Sequence, residues 1–151
     1  MNVEKKLNEL GLSLPPAPPL GGVYKPVVVV DKMMYVSGQG PVRNDGSLIV
    51  GKLGQDLNLE EGYAAARQVG LTMLSTIYEH GDLSQVKRLV KTLGMVNSAA
   101  EFYDHPKVIN GFSDLMAVVF GDENGIGARS AVGMILPGSI AVEVEAIFEL
   151  H

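Results

Sequence analysis

Ala128-Arg129-Ser130-Ala131-Val132-Gly133-Met134-Ile135-Leu136-Pro137-Gly138-Ser139-Ile140-Ala141-Val142-Glu143-Val144-Glu145-Ala146-Ile147-Phe148-Glu149-Leu150 carries the clearest pattern in the chain. From Ile140 to Leu150 every even position is apolar, while the odd positions include Glu143, Glu145 and Glu149. Period-two alternation marks a strand with one buried face. Pro137-Gly138 is a turn signal, and Arg129 to Ile135 reads as the strand before it, so the spacing predicts a closing hairpin. With the turn near Gly138, Arg129 falls opposite about residue 147. At ~3.3 Å per residue that is ~13 Å along the strand from Glu143, too far for an easy pair within one chain.

Upstream of this stretch the signals are helical. Asp104-His105-Pro106 resembles a helix start with proline in the first turn. Val108, Phe112, Leu115 and Val119 then mark one face as far as Gly121. The acidic, glycine-rich segment 121–127 reads as a surface loop or a lip beside a ligand. Asn58 and Glu61 have capping-box spacing, and a long helix is predicted from Leu59 to Glu79, ending near Gly81. Val86 to Val96 fits two templates, and its periodicity slightly favours helix over strand.

The N-terminal third reads as strands and connectors. Val27 to Val30 and Met33 to Val36 predict a hairpin with both faces largely buried. Asn44-Asp45-Gly46 predicts a tight turn before Ser47 to Val50. Val3, Leu7 and Leu10 predict a short amphipathic helix over 3–10, closed by Gly11. Pro15-Pro16-Ala17-Pro18-Pro19 excludes helix and reads as a spacer. Residues 1–21 are therefore taken as an N-terminal helix and proline-rich connector, and 22–151 as the domain.

Composition narrows the function. The 151 residues suit one domain, and 46% apolar with 19% charged residues is the balance of a globular protein. Cysteine is absent, which excludes disulfides, thiolate nucleophiles and cysteine metal sites. A formal charge of −5 argues against an extended nucleic-acid footprint. The first fourteen residues lack a signal peptide's apolar centre, and no run approaches the ~20 apolar residues of a membrane span, so a cytoplasmic location is expected. His80, His105 and His151 have no metal-binding spacing, and Ser37 has no hydrolase-elbow setting. Taken singly, Ser37 reads as a strand-end serine, Arg129 as a surface ion-pair partner, and Glu143 and Glu145 as the wet face of a sheet.

Several short motifs, in order, resemble the Rid family of reactive intermediate deaminases, also called the YjgF or L-PSP endoribonuclease family. They are Tyr24, Tyr35-Val36-Ser37-Gly38-Gln39-Gly40-Pro41, Gly81-Asp82-Leu83-Ser84-Gln85-Val86, Val108-Ile109-Asn110-Gly111-Phe112, Ala128-Arg129-Ser130-Ala131-Val132, Leu136-Pro137 and Val142-Glu143-Val144-Glu145-Ala146. The resemblance spans about residues 22–150. It implies an α/β (α+β) chorismate-mutase-like fold, two helices on one face of a mixed sheet, with Val86 to Val96 a strand. It also implies a homotrimer with pockets at subunit interfaces and no cofactor; from charge and hydropathy, no nucleic-acid or membrane partner is expected.

The same resemblance implies the site. Arg129 would grip a substrate carboxylate with its bidentate fork. Tyr24, Ser37 and Asn110 would bind substrate, and Glu143 would position or deprotonate water. The implied reaction is hydrolysis of short 2-enamine or 2-imine acids, such as 2-aminoacrylate, to 2-keto acid and ammonia. Ala131 stands where some deaminases carry cysteine, and Gly125-Ile126-Gly127 differs from the best-studied type, marking a divergent subgroup. Two other readings use the same residues. One is a non-catalytic trimer that senses a small carboxylate. The other is a ribonuclease or translation inhibitor, which the acidic balance and the missing histidine pair argue against.

Overall fold

The computed structural model describes residues 2–151. A five-stranded mixed sheet has the order β1-β2-β5-β3-β4. Its strands are β1 (Val27–Val30), β2 (Met33–Gln39), β3 (Val86–Asn97), β4 (Ala128–Met134) and β5 (Val142–Leu150). Two long helices, α2 (Leu59–His80) and α3 (His105–Phe120), pack against one face. Short helices α1 (Val3–Glu9) and α4 (Asp122–Gly125) complete the set.

β5 lies in the middle of the sheet and assigns its two faces. Val142, Val144, Ala146 and Phe148 point into the helix-side core and are at most 3% exposed. Glu143, Glu145, Ile147 and Glu149 point the other way, onto an open face. The alternation seen in the sequence is therefore the boundary between core and open surface.

The closing hairpin does not form. β3 inserts between β4 and β5, pairing parallel to β4 and antiparallel to β5. A β3–α3–β4 crossover carries the chain over the sheet, so β4 is delivered to the outer edge, one strand away from β5. Arg129 pairs with Thr92, and Thr92 with Ala146. The residue-147 register is thus off by one position and is indirect, across two strand spacings.

β3 is a strand, as the family resemblance implies and against its own periodicity. Its register with β5 shifts between Val86 and Arg88 and again between Leu89 and Lys91. Each bulge changes the phase of the alternation. Val86, Leu89 and Thr92 consequently share the buried side at a spacing of three, which imitates a helix.

The first hairpin forms with Asp31-Lys32 as its turn, but β1 is not buried on both faces. It is an edge strand whose Val28, Val29 and Val30 are 43%, 49% and 55% exposed. Only Val27 packs against the helix-side core. The turn at residues 44–46 forms as expected, closed by Arg43 N–H donating to the Ser47 carbonyl. In segment 121–127, α4 occupies Asp122–Gly125 and buries Gly125, while residues 121–123 and Ile126 stay exposed and residues 125–127 border a hollow.

The helices start where their caps are written. Asn58 and Glu61 make the reciprocal capping box of α2, and Asn2 caps α1 through the Lys5 amide. The Asp104 side chain accepts no capping hydrogen bond at the start of α3; its carboxylate lies 3.7 Å from the Lys107 ammonium instead.

α2 and α3 cross closely because Gly111 faces the backbone of α2. A Cβ on Gly111 would stand 2.9 Å from the Tyr63 carbonyl carbon and 3.1 Å from the Arg67 nitrogen. Backbone cannot rotate out of the way, so Gly111→Ala is expected to lower unfolding free energy by about 2–3 kcal/mol in urea denaturation. Gly70→Ala, whose Cβ meets side chains alone, chiefly the end of Leu115 with Met116 and the Phe112 ring at ordinary contact, is expected to cost clearly less. Equal losses for the two variants would show that the crossing is not backbone-limited.

Candidate active site

Tyr24, Ser37 and Glu143 line one cleft of about 630 Å³ at the end of the sheet where β2 meets β5. Ser37 and Gly38 sit in a bulge of β2. The register passes from Val36–Ala146 to Gln39–Val144, three steps on β2 against two on β5. Such a bulge re-aims side chains at a sheet end.

Each polar group in the cleft has a defined hydrogen-bonding role left to it. The Ser37 hydroxyl donates to the Lys25 carbonyl at 2.6 Å, so its lone pairs remain to accept. The Tyr24 hydroxyl accepts from the Gly21 amide at 3.2 Å, so its proton remains to be donated. Gln39, 4% exposed, donates to the Ser37 carbonyl at 2.9 Å and accepts from the Thr76 hydroxyl at 2.7 Å. It fixes the bulge from behind. Among the described residues no base contacts the Ser37 hydroxyl, and the serine has no activated-nucleophile arrangement there.

Glu143 lies against Gly38. A Cβ on Gly38 would come within 3.0 Å of the Glu143 carboxyl carbon, so only glycine leaves the carboxylate this position. Among the described residues no cation pairs with Glu143. Half-burial pushes its pKa above the ordinary glutamate value, and the negative charge of Glu145 adds to the effect. A carboxyl raised in this way holds a proton more readily than an ordinary glutamate, which suits a group that takes and returns one.

Arg129 lies elsewhere. It sits on the helix side of edge strand β4, where its Nη1 donates to the Ser113 hydroxyl at 3.0 Å and its Nη2 to the Pro106 carbonyl at 3.3 Å. Asn110 falls between Pro106 and Ser113 at i+4 and i+7, on the same face of α3. Among the described residues Arg129 has no carboxylate partner. Its guanidinium borders a hollow of about 130 Å³ with Thr92 and Gly125 to Gly127.

One chain therefore holds the carboxylate and the guanidinium in separate clefts. Glu143 and Arg129 face opposite sides of the sheet, separated by two strand spacings, ~10 Å, and three residues, ~10 Å, along the strands. Ser113 escaped the sequence reading, although Asn110 and Ser113 at i, i+3 form a polar pair on one face of the helix. Gln39 and Thr76 also escaped it, because their roles come from a contact 37 residues apart in sequence.

A mixed sheet with two helices on one face and this strand order is the chorismate-mutase-like fold. The family model described as "YjgF/chorismate_mutase-like, putative endoribonuclease" matches residues 4–140. The chain belongs to this YjgF (Rid) family. It is 42% identical over 151 residues to protein TCP17 of Trypanosoma cruzi, covering 99% of this chain and 94% of that one. The crystal structure of protein Atu1372 from Agrobacterium tumefaciens superposes with a TM-score of 0.86 at 37% identity, covering 99% of this chain and 94% of that one. A Shewanella oneidensis structure described as a "putative endoribonuclease" superposes with a TM-score of 0.92 at 32% identity, covering 99% and 100%. The match begins at residue 4, inside α1.

Two outcomes follow from the Glu143 environment. By carboxyl-carbon NMR, Glu143 should titrate above an ordinary glutamate, and Gly38→Ala should return it toward that value by pushing the carboxylate into water. The sign for stability is equally definite. The folded carboxyl holds its proton to higher pH than the unfolded one, so its contribution is full below about pH 4.3 and is lost as pH rises through the raised value. Glu143→Gln is therefore expected to be more stable than the parent at pH 7, with the gain shrinking at pH 4, as read from urea midpoints.

Proposed function

We propose that the protein hydrolyses 2-enamine and 2-imine acids to 2-keto acids and ammonia, as a homotrimer whose pockets lie between subunits. The observation that carries this reading is the half-buried, cation-free Glu143 beside a free donor, Tyr24, and a free acceptor, Ser37. Arg129 of a neighbouring subunit completes the pocket by binding the substrate carboxylate through the guanidinium hydrogens left over from Ser113 and Pro106, with Asn110 beside it.

The chemistry asks little of the protein. The enamine tautomerises to the imine. Glu143 accepts a proton from water as the water oxygen adds to C2 and passes that proton to the imine nitrogen, giving a carbinolamine. Glu143 then takes the carbinolamine hydroxyl proton and delivers it to nitrogen, so that the C–N bond breaks, ammonia leaves and the C=O forms. Tyr24 donates to nitrogen and Ser37 accepts its N–H, orienting the reacting carbon.

Association is supported by the open sheet face, where Val28 and Tyr35 are 43% and 45% exposed beside Leu93 and Ile147. An uncovered apolar face of this kind marks an interaction surface. The endoribonuclease description attached to the family is a weaker reading, because Glu143 and Glu145 in the cleft repel a phosphodiester.

Added to a pyridoxal-phosphate dehydratase that releases 2-aminoacrylate, the protein should speed its decay. Arg129→Ala should lower kcat/KM about 100-fold, the scale of losing a charge-assisted carboxylate grip, while the sedimentation coefficient stays that of the parent. An unchanged decay rate with the parent protein would falsify the deaminase reading. Ligand-dependent thermal stabilisation that tracks Arg129 but not Glu143 would then identify a carboxylate-binding sensor.

A further inference from the structure

The cleft does not end at its polar groups. Beyond Tyr24 it is bounded by the connector, Pro18 to Gly21, and by Leu48 and Ile140. Leu48 and Ile140 converge over Gly40, whose position a Cβ would fill at 3.2 Å from Ile140 and 3.7 Å from Leu48. At about 630 Å³ the space exceeds what a three-carbon acid needs and falls in the ~300–1,000 Å³ range of sites that enclose larger ligands.

The connector is held in place at several points. Val3 and Leu7 of α1 are buried at 1% and 4% exposure, and the Ser75 hydroxyl on α2 donates to the Pro15 carbonyl at 2.7 Å. Four prolines fix the backbone between there and Leu20, and the Gly21 amide ends the segment on the Tyr24 hydroxyl. Yet Leu20 and Leu48 remain 52% and 43% exposed at the cleft. Two large apolar side chains kept out of the core, beside a polar site and on rigid backbone, have little folding value where they stand.

We propose that Leu20 and Leu48 form the side-chain subsite of the cleft and select 2-imino acids whose side chain is apolar and longer than methyl. The N-terminal segment thereby sets specificity. The chemistry named here rests on the deaminase reading, whereas the binding preference of the subsite does not.

The test uses the full chain and two unreactive product acids, pyruvate and 4-methyl-2-oxopentanoate, titrated by calorimetry. Burial of each added methylene is worth about fourfold in affinity, and half-exposed walls recover part of it. The branched acid is expected to bind about tenfold tighter than pyruvate. Leu20→Ala and Leu48→Ala should each cut that ratio about threefold while leaving pyruvate affinity unchanged. Turnover of the imines that an amino-acid oxidase makes from alanine and from leucine is measured alongside. Preference in binding without turnover would sink the deaminase reading and leave the subsite standing. Turnover without preference, or an equal loss for both acids in the variants, would sink the subsite and leave the deaminase reading. Loss of the parent's oligomeric state in Leu20→Ala would assign Leu20 to a subunit contact and overturn the proposal.

Discussion

The alternation along β5 governs everything built around it. A strand in the middle of a sheet presents its even and odd side chains to different media, and here one medium is a helix-covered core and the other an open face. Val144 and Phe148 can be buried completely only if Glu143 and Glu145 turn outward. The neighbouring strands inherit the assignment through their registers, which is why Arg129, paired to Thr92, falls on the helix side. Separation of Arg129 from Glu143 is thus a consequence of the same pleat that makes the core. It leaves a lone chain with a carboxylate in one cleft and a guanidinium in another.

Close packing under the sheet is the second constraint. α2 presents the Tyr63 and Arg67 backbone to Gly111 of α3, and Gly94 of β3 leaves its place to Ile109. These approaches set the distance of α3 from the sheet, and with it the height of Pro106 and Ser113 beneath the Arg129 guanidinium. A helix pushed outward by one methyl would move the arginine's two acceptors together. Fold and guanidinium cleft are one packing problem on this side of the sheet.

How legible all this is in the sequence depends on the range of the forces involved. Helix starts are local, and the Asn58–Glu61 box and the proline after His105 mark them directly. β5 is legible because its pleat runs unbroken. β3 is not, because two bulges reset its phase and leave Val86, Leu89 and Thr92 at helical spacing. The β4–β5 hairpin fails for a different reason: a turn at Pro137-Gly138 says that the chain reverses, not which strand it returns beside. Strand order is decided by where α3 carries the chain and by which faces must be buried. Tyr24, Ser37 and Glu143 were reached through family resemblance, while the roles of Gln39, Thr76 and Ser113 needed the fold, since each depends on a partner distant in sequence.

The proline-rich segment shows how composition can name a conformation and miss its use. Four prolines say extended and stiff, which suits a spacer and a wall equally. What separates the two is anchoring at both ends, and the anchors are non-local: two side chains of α1 in the core, a serine on α2, and the Tyr24 hydroxyl. A stiff segment pinned in this way loses little further entropy when a ligand settles against it, so its apolar surface is available for binding at low conformational cost. The same segment would hold Tyr24 in the orientation that leaves its proton free, because the Gly21 amide occupies the hydroxyl as an acceptor. Stiffness at Pro18-Pro19 and the polarity of Tyr24 are therefore coupled through a single hydrogen bond, and a change that loosens the connector acts on the polar end of the cleft as well as on its apolar arm.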